Sequence, residues 1–226
     1  QEPLWFMPAK QSDSGSDLQR AKEYVSNLAD QKEEASAIEG SIMWQIHDKY
    51  IISQINSGLV IIDQHVAHER VLFEDALLAF DLTPLSAQTL LFPEILEFST
   101  NEYSVLLDIL PYLEKLGFRM KENGQNKIIL EAIPSDMGWG NENSVIRDII
   151  DHYVANREKS SSYVENLAAS FACHAAVKAG DSLTIEEMQV LVNRLFSTKH
   201  PYYCPHGRPI IVQLSLAELD QRFERS

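Results

Sequence analysis

The chain changes character within one short stretch, Leu59-Val60-Ile61-Ile62-Asp63-Gln64-His65-Val66-Ala67-His68-Glu69. Its first four residues are apolar on both faces of an extended chain, which predicts a central strand of a sheet. After this strand, apolar residues recur at helical spacing as far as Phe80, so a helix is expected to begin where the strand ends. Because side chains at such a junction point out of the edge of the sheet, Asp63, His65 and Glu69 are candidate functional residues.

The regions on either side of this stretch predict an α+β fold. Residues 42–46 alternate apolar and polar side chains, and residues 50–55 are rich in β-formers. With the turn signal Asn56-Ser57-Gly58, they predict a hairpin that leads into the central strand. A β-β-α-β-β pattern follows, then three helical segments, and the chain closes with a strand over residues 209–214 and a short helix.

This order of elements predicts two subdomains. A first subdomain, residues 41–82 and 160–226, is interrupted by a smaller inserted unit, residues 83–159. Residues 1–40 mix Ser, Asp, Glu, Gln and Lys, which predicts a largely disordered linker.

Composition and charge exclude several classes of protein. The 226 residues are 45% hydrophobic and 23% charged, as in ordinary globular proteins, and no apolar run approaches the roughly 18 to 20 residues that cross a bilayer. Two cysteines are typical of a protein from a reducing cytoplasm. The net charge of −14 opposes non-specific binding to nucleic acid, although basic residues outnumber acidic ones five to three over residues 194–225. If DNA is the substrate, a partner is expected to deliver it.

The first group with chemical potential is Asp63, His65 and Glu69. Asp63 and His65 are two apart and project to the same side of an extended entry, while His65 and Glu69 are four apart and lie on one helical face. Two carboxylates and an imidazole suit zinc or manganese. The alternative is a capped helix, in which Asp63 faces the helix dipole and Glu69 pairs with Arg70 or another neighbour.

The second group is the segment Cys204-Pro205-His206-Gly207-Arg208-Pro209. Cys204 and His206 offer a thiolate and an imidazole from one short extended segment, which indicates metal coordination. The alternative is a Pro- and Gly-containing loop with a buried cysteine. Cys173 lies in a mostly apolar helical pattern, where a cysteine is usually a core residue, yet it can still meet the other groups in space.

Taken together, these motifs resemble those of the MutL family of DNA mismatch repair proteins. Asp63-Gln64-His65-Val66, with Glu69 and Glu74, is similar to the endonuclease signature of the MutL C-terminal domain, although the family usually has Ala in place of Val66. Ala172-Cys173-His174 with Lys178-Ala179, the Cys204 to Pro209 motif and the terminal Phe223-Glu224-Arg225 follow in the family's order. The resemblance covers residues 41–225. It implies a fragment without the ATP-binding N-terminal region.

The resemblance implies a dimerisation subdomain that carries a metal-dependent nicking endonuclease, with the inserted unit as a regulatory subdomain. By resemblance, the metal ligands are Asp63, His65, Glu69, Cys173, Cys204 and His206, of which the first three are the catalytic set. Zn²⁺ is expected in a regulatory or structural role, and Mn²⁺ or Mg²⁺ for cleavage. Arg208 is expected to contact a phosphate or a neighbouring carboxylate. Glu74 is expected to support the helix, whereas His68 and His174 are not included among the ligands.

The family resemblance also implies partners. Gln88-Thr89-Leu90-Leu91-Phe92-Pro93 is similar to the motif by which the family contacts the replication sliding clamp, so Gln88, Leu91 and Pro93 are expected clamp-binding residues. The alternative is an ordinary strand entry in which Leu90 and Phe92 face the core and Pro93 ends the run. A homodimer, the mismatch recognition protein MutS and double-stranded DNA are the other expected partners, in a bacterial cytoplasm near the nucleoid. A non-catalytic dimerisation and clamp-tethering module with a structural zinc is the alternative function.

Overall fold

The structure is a computed structural model that describes residues 42–138, 140, 142–156, 163–178 and 180–225. The predicted linker, residues 1–40, lies outside the described residues. Two antiparallel sheets and six helices occur in the part of the chain that is described, which confirms the predicted α+β class. In chain order the elements are β1 (Met43–Ile46), β2 (Tyr50–Ile55), β3 (Gly58–Asp63), α1 (Gln64–Asp81), β4 (Ala87–Glu97), α2 (Thr100–Lys115), β5 (Arg119–Glu122), β6 (Lys127–Pro134), α3 (Glu142–Asn156), α4 (Tyr163–Ala175), α5 (Ile185–Ser197), β7 (Ile211–Ser215) and α6 (Leu216–Arg222).

The first sheet has the strand order β1-β2-β3-β7, so the apolar strand β3 is an inner strand, as its sequence predicts. One face carries a row of directly paired buried residues, Ile51, Ile62 and Ile211. This face packs against α1 and α5 around a core that includes Val71 and Leu195. The sheet therefore holds the start of α1, where the signature lies, in a fixed position.

The second sheet has the order β4-β6-β5 and belongs to the middle unit. The predicted β-β-α-β-β pattern is wrong in one respect, because its first two strands are a single strand, β4, with a register shift between Thr89 and Glu94. Pro93 has no backbone N–H to donate, and it lies within the irregular part of the strand. The strand continues after the proline, so an interruption in pairing was mistaken for a turn.

Helix α1 joins two hydrophobic cores. Val66, Ala67 and Val71 in its first half pack beneath the first sheet. Leu72 and Ala76 in its second half pack with the middle unit and with buried residues of α4. The subdomain boundary at residues 159–160 stays a prediction, but the core beneath the second sheet includes α4.

Candidate metal centre

The junction between β3 and α1 fixes the orientation of Asp63. Its Oδ1 accepts a hydrogen bond from Val66 N at 3.1 Å, so Asp63 is the N-cap of α1. Its own backbone N–H donates to Ile210 O at 3.0 Å, which joins the helix start to the chain just after the Cys204 motif. The capping role that the sequence offered as an alternative is therefore present. A cap uses one carboxylate oxygen and leaves Oδ2 available to a cation.

The Cys204 motif forms a tight loop. Cys204 N donates to Arg208 O at 2.9 Å, and Gly207 N donates to Cys204 O at 2.9 Å. Gly207 has φ of 81°, a left-handed conformation that glycine adopts without a steric penalty. Arg208 N also lies 3.4 Å from Cys204 Sγ, so the backbone of the loop turns towards the sulfur.

A buried arginine attaches this loop to α1. The Nε and Nη2 atoms of Arg70 donate to Tyr203 O at 2.9 and 2.7 Å. Glu74 Oε1 lies 3.5 Å from Arg70 Nη1, and Glu74 Oε2 accepts from Lys199 N at 2.8 Å. Arg70 is therefore bonded to Tyr203 O rather than to Glu69, and Glu74 fastens the chain before the loop to the helix. From sequence alone, Arg70 is assigned no role other than the alternative pairing with Glu69.

These contacts bring three ligand-type side chains together. One ligand atom from each of Glu69, Cys204 and His206 lies within 4.8 Å of the other two. His206 Nδ1 is 2.9 Å from Glu69 Oε1. Glu69 and Cys204 are buried, whereas half of the His206 side chain is exposed. A carboxylate, a thiol and an imidazole, partly open to solvent, can hold a divalent cation and still leave it accessible.

The pKa values of His206 and Cys204 indicate that these two groups interact. Hydrogen bonds with Cys204 and then with Glu69 raise the pKa of His206 to about 10, against the effect of burial. Burial acts to raise the pKa of the Cys204 thiol. Hydrogen bonds from the His206 side chain and from the loop backbone together outweigh burial, so the pKa is lowered. The raised pKa of His206 means that the cluster favours a positive charge at this position. The three groups therefore fit a divalent cation that displaces the His206 proton.

The other predicted ligands are near this cluster but not within it. In the described part of the chain, Asp63, His65 and Cys173 are not among the groups whose ligand atoms lie within 4.8 Å of one another. His65 is on the first turn of α1, with Nδ1 2.8 Å from Val177 O. Cys173 is exposed on α4, and its thiol pKa is raised by burial of part of the side chain and by the negative charge of Glu69. Cys173 is therefore close enough to the cluster for the charge of Glu69 to affect its thiol.

The histidines that were left out of the ligand set have other partners. His68 is buried, and its Nδ1 accepts from Val177 N at 3.0 Å. His174 Nδ1 lies 3.4 Å from Asp148 Oδ2. Both contacts lie outside the cluster. Arg208 is exposed, and its positive charge acts to lower the pKa of Cys173.

The predicted clamp motif lies on the irregular part of β4. Leu90 is buried, but Leu91 and Phe92 are 82% and 79% exposed. The strand-entry alternative is therefore wrong about Phe92, which does not face the core. Gln88 Nε2 donates to Met137 O at 3.1 Å and lies 3.4 Å from Pro134 O. The motif presents two large apolar side chains to solvent beside a glutamine held by the protein.

The helices that the structure describes are all too short or too polar to cross a membrane.

Comparison with known proteins agrees with the resemblance. The chain is 45% identical over 184 residues to the DNA mismatch repair protein MutL of Chlorobium phaeobacteroides (strain BS1), which covers 81% of this chain and 30% of that protein. It is 44% identical over 202 residues to MutL of Chlorobium chlorochromatii, covering 89% of this chain and 31% of that protein. The chain thus spans about a third of the length of these relatives.

The family assignment comes from a range that includes the first three strands of the first sheet and the signature helix. Residues 43–183 match the family described as the MutL C terminal dimerisation domain. This range contains β1 to α4, and therefore both the Asp63 to Glu69 signature and the Cys173 motif. The chain belongs to the MutL C-terminal dimerisation domain family.

Proposed function

We propose that this chain is a homodimeric, metal-dependent endonuclease module that nicks double-stranded DNA during mismatch repair. The observation that carries the proposal is the convergence of Glu69, Cys204 and His206 within 4.8 Å, next to the helix start that bears Asp63 and His65. Three chain segments that are far apart in sequence supply these groups together with Cys173. A structural zinc alone would account for the buried cluster, but the proposal also gives a task to the oxygen and nitrogen ligands of Asp63 and His65 at the helix start.

In this proposal the buried cluster and the helix start have different tasks. Glu69, Cys204 and His206 hold a cation such as Zn²⁺, while Asp63 Oδ2 and the Nε2 atom of His65 offer the oxygen and nitrogen ligands that suit Mn²⁺ or Mg²⁺. A bound cation supplies activation of water and neutralisation of phosphate charge. The exposed guanidinium of Arg208 contributes a positive charge that a DNA phosphate can approach.

The outer face of the first sheet is the proposed dimer interface. Trp44 pairs with Ile52, Ile52 with Ile61, and Ile61 with Val212, so one row of apolar side chains crosses all four strands. Trp44 and Val212 are about half exposed, on the face opposite the core. An apolar row of this kind is typical of a two-fold interface, in which the same surface is used by both copies.

Delivery of DNA is assigned to the sliding clamp, because the chain has a net charge of −14. The exposed Leu91 and Phe92 are suited to fill an apolar pocket on a partner. Tethering raises the concentration of the metal site near the duplex without any affinity of the domain for DNA. A functional link to MutS through the whole protein, and a cytoplasmic, nucleoid-associated setting, belong to the same proposal.

Nicking of supercoiled DNA with Mn²⁺ tests the catalytic assignment. Asp63→Asn is expected to abolish nicking, because it removes the negative charge that binds the cation. The fold is expected to remain, since the amide oxygen can still accept the hydrogen bond from Val66 N. His65→Ala is expected to have the same effect. Asp108→Asn, on the exposed side of α2, is the matched control and should retain the parent rate. Unchanged nicking by Asp63→Asn would overturn the catalytic assignment of this residue, and a parent chain that does not nick would favour the non-catalytic alternative with a structural zinc.

Clamp stimulation is tested separately from stability. Leu91→Ser is expected to remove the stimulation of nicking by the clamp while leaving the melting temperature unchanged, because this side chain is already in solvent. Ile95→Ser, also exposed on β4 but outside the motif, is the control and should be stimulated normally. A Leu91→Ser variant that the clamp stimulates as strongly as the parent contradicts the docking role.

A further inference from the structure

Gln64, the middle residue of the Asp63 to His65 signature, has a fully buried side chain with several partners. Its amide nitrogen Nε2 donates to Asp48 O at 2.8 Å and to Asp181 O at 3.0 Å, with Lys178 O at 3.3 Å. Its amide oxygen Oε1 accepts from Gln45 Nε2 at 2.7 Å. The side chain thus contacts three separate parts of the chain, and all of its polar atoms are bonded within the protein.

One of these parts is the tight turn between β1 and β2. His47 and Asp48 have φ of 52° and 51°, a left-handed conformation that is unfavourable for residues with a Cβ. Such a turn persists where surrounding contacts hold it. Asp48 O accepts both from Gln64 Nε2 and from Gly180 N, the latter at 2.8 Å. The turn is therefore bonded to the signature and to the loop that follows α4.

That loop, described at residues 177, 178 and 180–183, is attached to the same network at its far end. Gln45 Nε2 donates to Asp181 O at 2.9 Å, and Leu183 N donates to Gln45 Oε1 at 3.1 Å. Gln45 and Gln64 are also bonded to each other, so the loop is held by two linked amides. With Lys178 O 3.3 Å from Gln64 Nε2, the beginning of the loop also lies next to the first turn of α1.

At that point both polar backbone atoms of Val177 contact histidines of α1. His65 Nδ1 lies 2.8 Å from Val177 O, and Val177 N donates to His68 Nδ1 at 3.0 Å. Since a carbonyl oxygen can only accept, the proton of neutral His65 is on Nδ1 and the lone pair is on Nε2. The position of the loop therefore selects the tautomer of His65 and the direction of its ring.

We propose that Gln64 is a positioning residue, which docks the loop after α4 against the start of α1 and thereby holds His65 as its Nδ1–H tautomer. The proposal rests on the proposed metal-dependent function, in which Nε2 of His65 is a ligand atom. A histidine whose other nitrogen is held by a hydrogen bond is preorganised for a cation, and such supporting contacts strongly affect metal binding. Gln64 has this effect without contacting a metal or the DNA.

The residue type follows from its surroundings. The site presents backbone carbonyls that need an N–H donor, and one amide N–H that needs an acceptor, so a primary amide satisfies both. A glutamate would bring a negative charge against three carbonyl oxygens in a buried place. A methionine has a similar size but cannot form these hydrogen bonds, so Gln64→Met removes the docking contacts with little change of volume.

The direct test is the tautomer of His65 in metal-free protein, measured by long-range ¹H–¹⁵N NMR of the imidazole. The parent chain is expected to show a protonated Nδ1 and an unprotonated Nε2. Gln64→Met is expected to give a mixture of tautomers and a rate of nicking about 10- to 100-fold lower, with the KM for DNA within about twofold. Gln189→Leu is the control, because its amide donates to Asn193 at the surface of α5 and has no contact with this network.

A second variant separates positioning from a failure to fold. Gln45→Leu, on β1, removes the partner of Gln64 Oε1 and of Leu183 N and leaves the sequence of α1 intact. It is expected to shift the tautomer of His65 in the same direction by a smaller amount. If folded variants keep the Nδ1–H tautomer and the parent nicking rate, the positioning role of Gln64 is overturned. A parent chain that has the expected tautomer but never nicks overturns the proposed function instead.

Discussion

His68 is expected to make the stability of this chain depend on pH in the weakly acidic range. The side chain is 7% exposed, and its Nδ1 accepts from Val177 N, which requires an unprotonated nitrogen at that position. Burial, and next the positive charge of Arg194, lower its pKa from 6.5 to about 4, although Asp136 opposes this shift and His65 adds slightly to it. The imidazole is therefore neutral in the folded chain under conditions in which it is charged in the unfolded chain.

The sign and the size of the effect follow from this difference in pKa. Between pH 6.5 and 4 the unfolded chain binds more protons than the folded one, so stability is complete above pH 6.5 and is lost as the pH falls. The whole difference corresponds to about 3 kcal/mol, of which about 2 kcal/mol is lost between pH 8 and pH 5. His206 acts in the opposite direction at higher pH, because its pKa is raised to about 10 and its stabilising contribution grows as the pH falls towards 6.5. Below pH 6.5 that contribution is nearly constant, so the effect of His68 is measured there.

Urea unfolding at several pH values between 6.5 and 4.5 measures this effect. In His68→Asn the side-chain oxygen can accept from Val177 N without titrating, so this variant should lose less stability than the parent as the pH is lowered. His152→Asn is the matched control, because the pKa of His152 is also lowered, by burial and by His174, but its removal leaves the effect of His68 in place. Equal pH dependence in the parent and in His68→Asn would refute the reasoning.

Three further outcomes are expected. Leu72→Ala, in the fully buried part of α1, should lower the free energy of unfolding by about 2 to 5 kcal/mol, whereas Leu78→Ala, half exposed on the same helix, should change it by less than about 1 kcal/mol in the same urea titration. Cys204→Ser should prevent the retention of zinc on dialysis. Zinc binding to the parent should release protons, because the raised pKa of His206 favours its protonated form before the metal binds, and calorimetry should therefore give an enthalpy that depends on the buffer. An enthalpy that does not depend on the buffer contradicts this proton release. Trp44→Glu should weaken self-association by roughly 100-fold or more in sedimentation equilibrium, and an unchanged dimer would exclude this face as the interface.

The sequence was sufficient to predict the parts of the fold that depend on local pattern. The change from the apolar residues of β3 to the helical spacing of α1 predicts their junction at Asp63, where the structure has it. The pattern failed at β4, because Pro93 and the register shift after Thr89 interrupt the pairing without ending the strand. A break in hydrogen bonding and a turn between two strands have the same signature in a single sequence. They differ only in whether the partner, β6, continues alongside.

The candidate site was less accessible to such reasoning, because its geometry depends on contacts between distant segments. Spacing alone placed Asp63, His65 and Glu69 together, yet in the structure Glu69 turns towards His206 and Asp63 caps the helix. The helical pattern also predicted Cys173 to be a core residue, whereas its side chain is exposed and the charge of Glu69 raises its thiol pKa. A helical pattern gives the face of a residue, but not which loop will cover that face.

The buried amides show most clearly what a single sequence leaves out. Gln64 is as polar as any surface glutamine, and nothing in its neighbourhood along the chain indicates that Asp48 O and Asp181 O will be its acceptors. Burial of an amide is tolerated only when its donors and acceptors are bonded, so each of these contacts also constrains a backbone segment. The histidines of α1 and the loop at Val177 are thus placed by the same bonds that satisfy Gln64. A side chain that satisfies several carbonyls at once determines the geometry of its neighbours more strictly than an apolar residue of equal size would.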